Sequence, residues 1–152
     1  AAFLQLVRGR RLRLQRTEPN IGALATALAD LVNPVTAQYH LAFVASDTFY
    51  EHTHRYPGQR HDWQADVDPL LSHAQTYCAR IGLDLSDSDR VRLQHACYEL
   101  TRGAHSDTPS TAAYLGGVAA QEVIKILTVQ YIPLDNTCVY DGIVQAVSSF
   151  RL

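Results

Sequence analysis

Methionine is absent from the 152 residues, tryptophan occurs once, and the three cysteines, Cys78, Cys97 and Cys138, stand apart with no C-x-x-C pair. Each shortage excludes something. An odd number of isolated thiols argues against the disulfide framework of a small secreted domain and points to a reducing compartment, cytoplasmic or nuclear. The missing Met, initiator included, predicts a piece of a longer chain whose earlier part precedes Ala1. There is no signal peptide, and no apolar run approaches the ~18 residues that a membrane span needs. Charge of one sign is lacking too: 13 Lys and Arg against 15 Asp and Glu leave a net charge of -2. With the signs interspersed, neither nucleic acid nor a membrane surface is an expected partner.

The motifs of common chemistries are missing as well. Neither G-x-G-x-x-G nor G-K-[ST] occurs, so no nucleotide fingerprint is encoded in this segment, and no G-x-S-x-G elbow supports a serine nucleophile. His52-Thr-His54 and His61-Asp62 follow no zinc spacing and read as exposed turn histidines. A catalytic cysteine needs a neighbouring base, cation or helix N-terminus. Cys78 and Cys97 fall instead on core faces and Cys138 in a strand, where free Cys packs as a small hydrophobe. No catalytic, cofactor or metal residue is assigned.

What is present is a fold. At 47% hydrophobic, a chain of this size buries roughly 68–70% of its unfolded surface. Residues 3–14 read as a helix with five arginines, Arg8, Arg10, Arg11, Arg13 and Arg16, spread around it, a solvated surface in preference to a site for an acidic partner. A short helix follows over 21–32, ended by Asn33-Pro34. The next runs from Pro34 to about His52 and should bury Tyr39, Ala42, Phe43, Ser46, Phe49 and Tyr50. Arg55-Tyr56-Pro57-Gly58 is a turn. A third amphipathic stretch spans 62–81, firm only after Pro69 and stopped by Gly82. A fourth spans 87–101 behind Ser86, with Val91, Leu93, His95, Cys97 and Leu100 as its buried candidates.

The stretch from Pro109 to Leu127 stands out. Residues 112–120 are all apolar or Gly, so a helix opened by Thr108-Pro109 should be buried along its first turns. Gly116-Gly117 in mid-helix costs roughly 1 kcal/mol per Gly, a cost usually met where another backbone comes close. Gln121, Glu122 and Lys125 mark a polar side. Short β-prone runs follow at 131–134, 137–140 and 145–150, with Asp141-Gly142 as a hairpin signal. The class is α+β: mainly helical first, then a buried helix and short strands. Three strands and one helix cannot cover each other, which predicts a sheet whose other strands lie upstream.

The run Ala112-Ala-Tyr-Leu-Gly-Gly-Val-Ala-Ala-Gln-Glu-Val-Ile-Lys125, with Tyr131-Ile-Pro133 and Val139-Tyr-Asp-Gly142, resembles the end of the adenylation fold in activating enzymes for ubiquitin and its relatives. The segment 2–8, the helix ending in Phe49-Tyr50, the Arg55 turn and the terminal Ser149-Phe-Arg-Leu152 resemble the regulatory, non-catalytic subunit of the heterodimeric neddylation type. The resemblance implies two parts: residues 1–104, helical and built around a cysteine domain, and 105–152, completing a Rossmann-like pseudo-adenylation sheet. It implies a catalytic partner subunit that holds ATP and Mg, and a ubiquitin-like modifier. It also makes Gly116, Gly117, Gln121, Glu122, Lys125, Asp141 and Gly142 structural motif positions. The Pro-x-Cys-Thr context of the family's catalytic cysteine is not found. The alternatives are the corresponding SUMO-activating subunit, a segment of a ubiquitin-activating enzyme, or a stand-alone helical interaction domain.

Overall fold

The computed structural model describes residues 16–30, 35–104, 106, 108–135 and 137–152. The expected helix over 3–14 and the Asn33-Pro34 break lie outside them. In chain order the elements are α1 (Ile21–Leu28), α2 (Val35–Thr53), a 3₁₀ turn (Trp63–Asp66), α3 (Val67–Ile81), α4 (Asp87–Arg102), α5 (Pro109–Thr128), β1 (Thr137–Asp141) and β2 (Ala146–Phe150). The α+β class expected from the sequence is the one observed.

Local chemistry sets the ends. Asn20 caps α1 by accepting the Ala23 N–H at 3.1 Å. Pro69 falls in the first turn of α3, where its missing N–H costs no intrahelical bond, and Gly82 closes that helix at φ 71°. Ser86 and Asp89 form a reciprocal capping box on α4, the arrangement that satisfies two orphan donors at once.

The core is built on α2, whose Ala37, Leu41, Ala42 and Ala45 are fully buried and let α3, α4 and the hairpin approach closely. Two aromatics expected inside are not. Phe43 is 50% exposed and Tyr50 42%, because at 100° per residue both fall nearly opposite Leu41; Tyr50 stacks instead on Tyr56 with centroids 4.8 Å apart. On α4, Leu93 and Cys97 are buried as expected and Leu100 packs against the core from its margin. Val91 and His95 are exposed, since each lies about 200° round the helix from Leu93.

The Arg55 turn is a structural knot. Arg55 donates from both terminal nitrogens to Asp66, at 2.5 and 2.6 Å, and the Gly58 N–H donates to the same carboxylate at 2.9 Å. Asp66 is 5% exposed. The guanidinium and the amide hold its carboxyl below the usual carboxylate range. Gly58 sits at φ 83° beneath α4, and a Cβ there would lie 2.1 Å from the Thr101 carbonyl oxygen.

β1 and β2 form an antiparallel hairpin pairing Thr137 with Phe150 and Asp141 with Ala146. The hairpin signal at Asp141-Gly142 is realised with a four-residue turn. Asp141 Oδ1 accepts the Ile143 N–H at 2.8 Å, and Gln145 takes φ 56°. Val139, Phe150 and Leu152 join the same hydrophobic core as the helices. The expected strand at 131–134 is not one. Tyr131 and Ile132 are 70% and 60% exposed, and no described strand lies beside them.

Candidate interaction surface

The main correction to the sequence reading concerns α5, which has no buried residue. Pro109 does occupy its first turn, but the Thr108 hydroxyl donates to Thr111 Oγ1 at 2.7 Å and caps no backbone N–H. Nothing lies within 4 Å of a Cβ built on Gly116 or Gly117. The close neighbour expected of that pair is therefore not among the described residues.

The orientation of α5 is the reverse of a core helix. Round the helix, Ser110, Tyr114, Gln121, Glu122, Lys125 and Thr128 share one side, and it is from that side that Tyr114 and Glu122 reach the rest of the chain. Tyr114 lies against Tyr140 of β1 with centroids 4.5 Å apart. Glu122 accepts from Lys125 Nζ at 2.6 Å and from the Leu134 N–H at 2.7 Å. The ammonium first, and then the amide, hold its carboxyl below the ordinary range. The opposite arc, roughly 200° wide, carries Leu115, Val123, Ile124, Ile126 and Leu127, from 41% to 76% exposed. The small residues Ala112, Ala113, Gly116, Gly117, Ala119 and Ala120 fill its first half. A soluble monomer rarely leaves so continuous an apolar face open. At the end of α5, Val129 takes φ 55°, a left-handed conformation costing a β-branched residue about 1–2 kcal/mol.

The hairpin turn abuts the start of α5. A Cβ on Gly142 would stand 3.3 Å from Thr111 Oγ1. Between them opens a cleft of about 410 Å³ whose walls include Tyr39, Glu99, Arg102, Thr108 and Asp141. Burial first, then Asp141 and Glu99, push the Tyr39 phenol up to about 12, while Arg102 opposes them. The group is a neutral donor at physiological pH. Asp141 is buried and engaged by its own turn, accepting the Ile143 N–H.

All three thiols are raised above their ordinary range. Burial pushes Cys78 up to about 11 and Cys97 to about 12, and burial followed by Glu122 raises Cys138. His52 stacks on His73 across α2 and α3 at 5.1 Å. No group of three or more possible metal ligands exists among the described residues, and no described helix is long and apolar enough to cross a membrane. The sequence reading missed Asp66, whose partner is eleven residues away, and His40, whose partner is on β2. Neither pairing has a local signal.

No family model matches the chain. Individual proteins do, and they are activating enzymes of ubiquitin and its relatives: "Ubiquitin-activating enzyme E1 1" of Schizosaccharomyces pombe is 29% identical over 116 residues, covering 76% of this chain and 11% of that protein. The fuller matches are narrower in kind. "NEDD8-activating enzyme E1 regulatory subunit" of Gallus gallus is 30% identical over 154 aligned residues, 100% of this chain and 28% of its own length. "NEDD8-activating enzyme E1 regulatory subunit AXR1" of Arabidopsis thaliana is 27% identical over 143 residues, 94% of this chain and 26% of its own. The chain is thus similar to a segment of NEDD8-activating enzyme regulatory subunits, and spans about 28% of the length of such a relative.

Proposed function

We infer that the chain serves in the non-catalytic, regulatory subunit of a neddylation-type activating enzyme, in the cytoplasm or nucleus. There it supports ATP-dependent activation of a ubiquitin-like modifier by a catalytic partner subunit. ATP and Mg belong to that partner. Residues 1–104 serve as a helical region beside the partner's cysteine domain, and 105–152 return to complete a pseudo-adenylation sheet. The observation that carries this reading is the outward apolar arc of α5, in a chain similar along its whole length to regulatory subunits. A helix whose polar side meets its own chain needs cover from elsewhere, and Gly116-Gly117 is where a covering backbone comes nearest. The raised thiols support a non-catalytic role.

A second reading, a segment of a ubiquitin-activating enzyme, rests on the Schizosaccharomyces pombe similarity. One reconstitution separates the two. The whole subunit is combined with each candidate catalytic subunit, and ATP-dependent thioester is scored for each ubiquitin-like protein. The expected result is thioester with the NEDD8-type modifier, lost when this subunit is omitted and kept when Cys78, Cys97 and Cys138 are all changed to Ala. Loss on changing one cysteine, with the complex intact, overturns the non-catalytic assignment.

A further inference from the structure

His40 stands at the seam between α2 and the terminal hairpin. Its ring meets Phe150 of β2 nearly at right angles, with centroids 5.9 Å apart, and its Nε2 is buried without a hydrogen-bond partner. Phe150 and Leu152, 8% and 2% exposed, fasten the hairpin to the helices at this seam. Arg16 and the charged groups of the hairpin are committed elsewhere. Arg16 pairs with Asp47 at 2.5 Å, Asp141 of β1 accepts the Ile143 and Val144 amides, and Arg151 pairs with Asp135 at 3.3 Å. Among the described residues no carboxylate pairs with the ring.

We propose that His40 is an acid-sensitive latch: protonating its ring releases the β1–β2 hairpin from α2 while the packing of α3 on α4 persists. An imidazolium donates from both nitrogens. Whichever tautomer the neutral ring holds, the charged ring puts a buried donor at Nε2, which has no acceptor in the docked state, within the field of the Arg16 cation. Opening the seam hydrates that donor.

The direction and size follow by linkage. Burial, and then Arg16, lower His40 from 6.5 to about 4 in the docked state. Docking is therefore fully present above about 6.5 and is lost as the pH falls towards 4. From pH 7.5 to 5.0 the hairpin's opening constant should rise about 30-fold, in a range where most carboxylates stay ionised.

The test compares amide-exchange protection of residues 137–150 with that of α3 and α4 across this pH range, in the wild-type chain, His40→Gln and His40→Leu. The expected result is a hairpin-specific loss of protection of about 30-fold in wild type and a flat profile in the variants. The same loss in either variant, or α3 and α4 opening in step with the hairpin, overturns the proposal. Should either variant lack a protected hairpin at pH 7.5, titrating the His40 ring by NMR decides: a midpoint near 6.5 refutes the latch, and one near 4 upholds it.

Discussion

Gly58 and Gly82 offer a controlled measurement of what close approach costs in this fold. Both hold positive φ, 83° and 71°, so Ala at either site pays a left-handed strain of about 1–2 kcal/mol. They differ in what a methyl would meet. At Gly82 nothing lies within 4 Å; at Gly58 the methyl lies 2.1 Å from the Thr101 carbonyl oxygen and 2.7 Å from Ala104 Cβ. A backbone oxygen cannot swing aside as a flexible side chain can, so α4 and the turn must separate. Overpacking of that kind costs about 1–3 kcal/mol or more. Gly58→Ala should therefore lose about 2–5 kcal/mol, against about 1–2 for Gly82→Ala. The lone tryptophan, Trp63, lies 5.2 Å from Tyr98 of α4, beside the affected contact, so its fluorescence in urea is a suitable probe. The expected outcome is a lower midpoint at unchanged m-value, larger in Gly58→Ala. Equal shifts in the two variants would refute the close-approach argument and leave φ as the whole effect.

Other outcomes follow from the same contacts. Asp66→Ala strands the Arg55 guanidinium and the Gly58 amide, and should cost about 3–5 kcal/mol by urea denaturation; a loss under 1 kcal/mol would deny the knot its role. The Asp66 carboxyl is held low, so its stabilisation is complete above the ordinary carboxylate range and falls away as pH drops through it. Asp66→Asn should flatten that limb of a stability profile measured from pH 5 to 2. Towards a thiol reagent at neutral pH, Cys138 should react first, and Cys78 and Cys97, 2% and 0% exposed, only on unfolding; fast native labelling of Cys97 would contradict its burial. Gly116→Leu should leave the chain's own stability unchanged or slightly higher, by up to about 1 kcal/mol from helix propensity, yet block assembly of the whole subunit with its partner. Normal assembly would show that no backbone comes near that glycine.

Several helix ends were legible because their causes are local, although α1, expected over 21–32, ends at Leu28. Asn20, Pro69, Gly82 and the Ser86–Asp89 box act within one turn, and each sits where the sequence reading expected a start or stop. Burial was legible only where one face of a helix meets one layer. On α2 the aromatic spacing named Tyr39 and Phe49 correctly, yet it could not tell which side of the helix Phe43 and Tyr50 would take. On α5 the composition signalled a buried helix, while the described residues supply nothing to bury it against. Residues 131–134 show the same limit for strands: β propensity without a neighbour leaves extended backbone, held here by one bond from Leu134 to Glu122. As for the candidate surface, the sequence marks the apolar stretch that carries it and the Gly116-Gly117 pair, but not the outward direction of Val123, Ile124 and Leu127. A sequence gives periodicity, and the sign of that periodicity depends on what is packed against it.

The uncovered state of α5 has a thermodynamic corollary. A helix in a protein draws most of its stability from the packing of one face, and two interior glycines subtract about 2 kcal/mol from what its own propensity supplies. With its apolar arc in solvent, α5 has little besides its own backbone bonds, the Tyr114–Tyr140 contact and the Glu122 contacts to hold it. Its order is then conditional, completed by docking. Part of the docking energy goes into setting the helix, so the contact forms with less affinity than its area suggests and stays reversible. A segment of this kind folds in company, and its amides should exchange among the fastest in the chain until that company arrives.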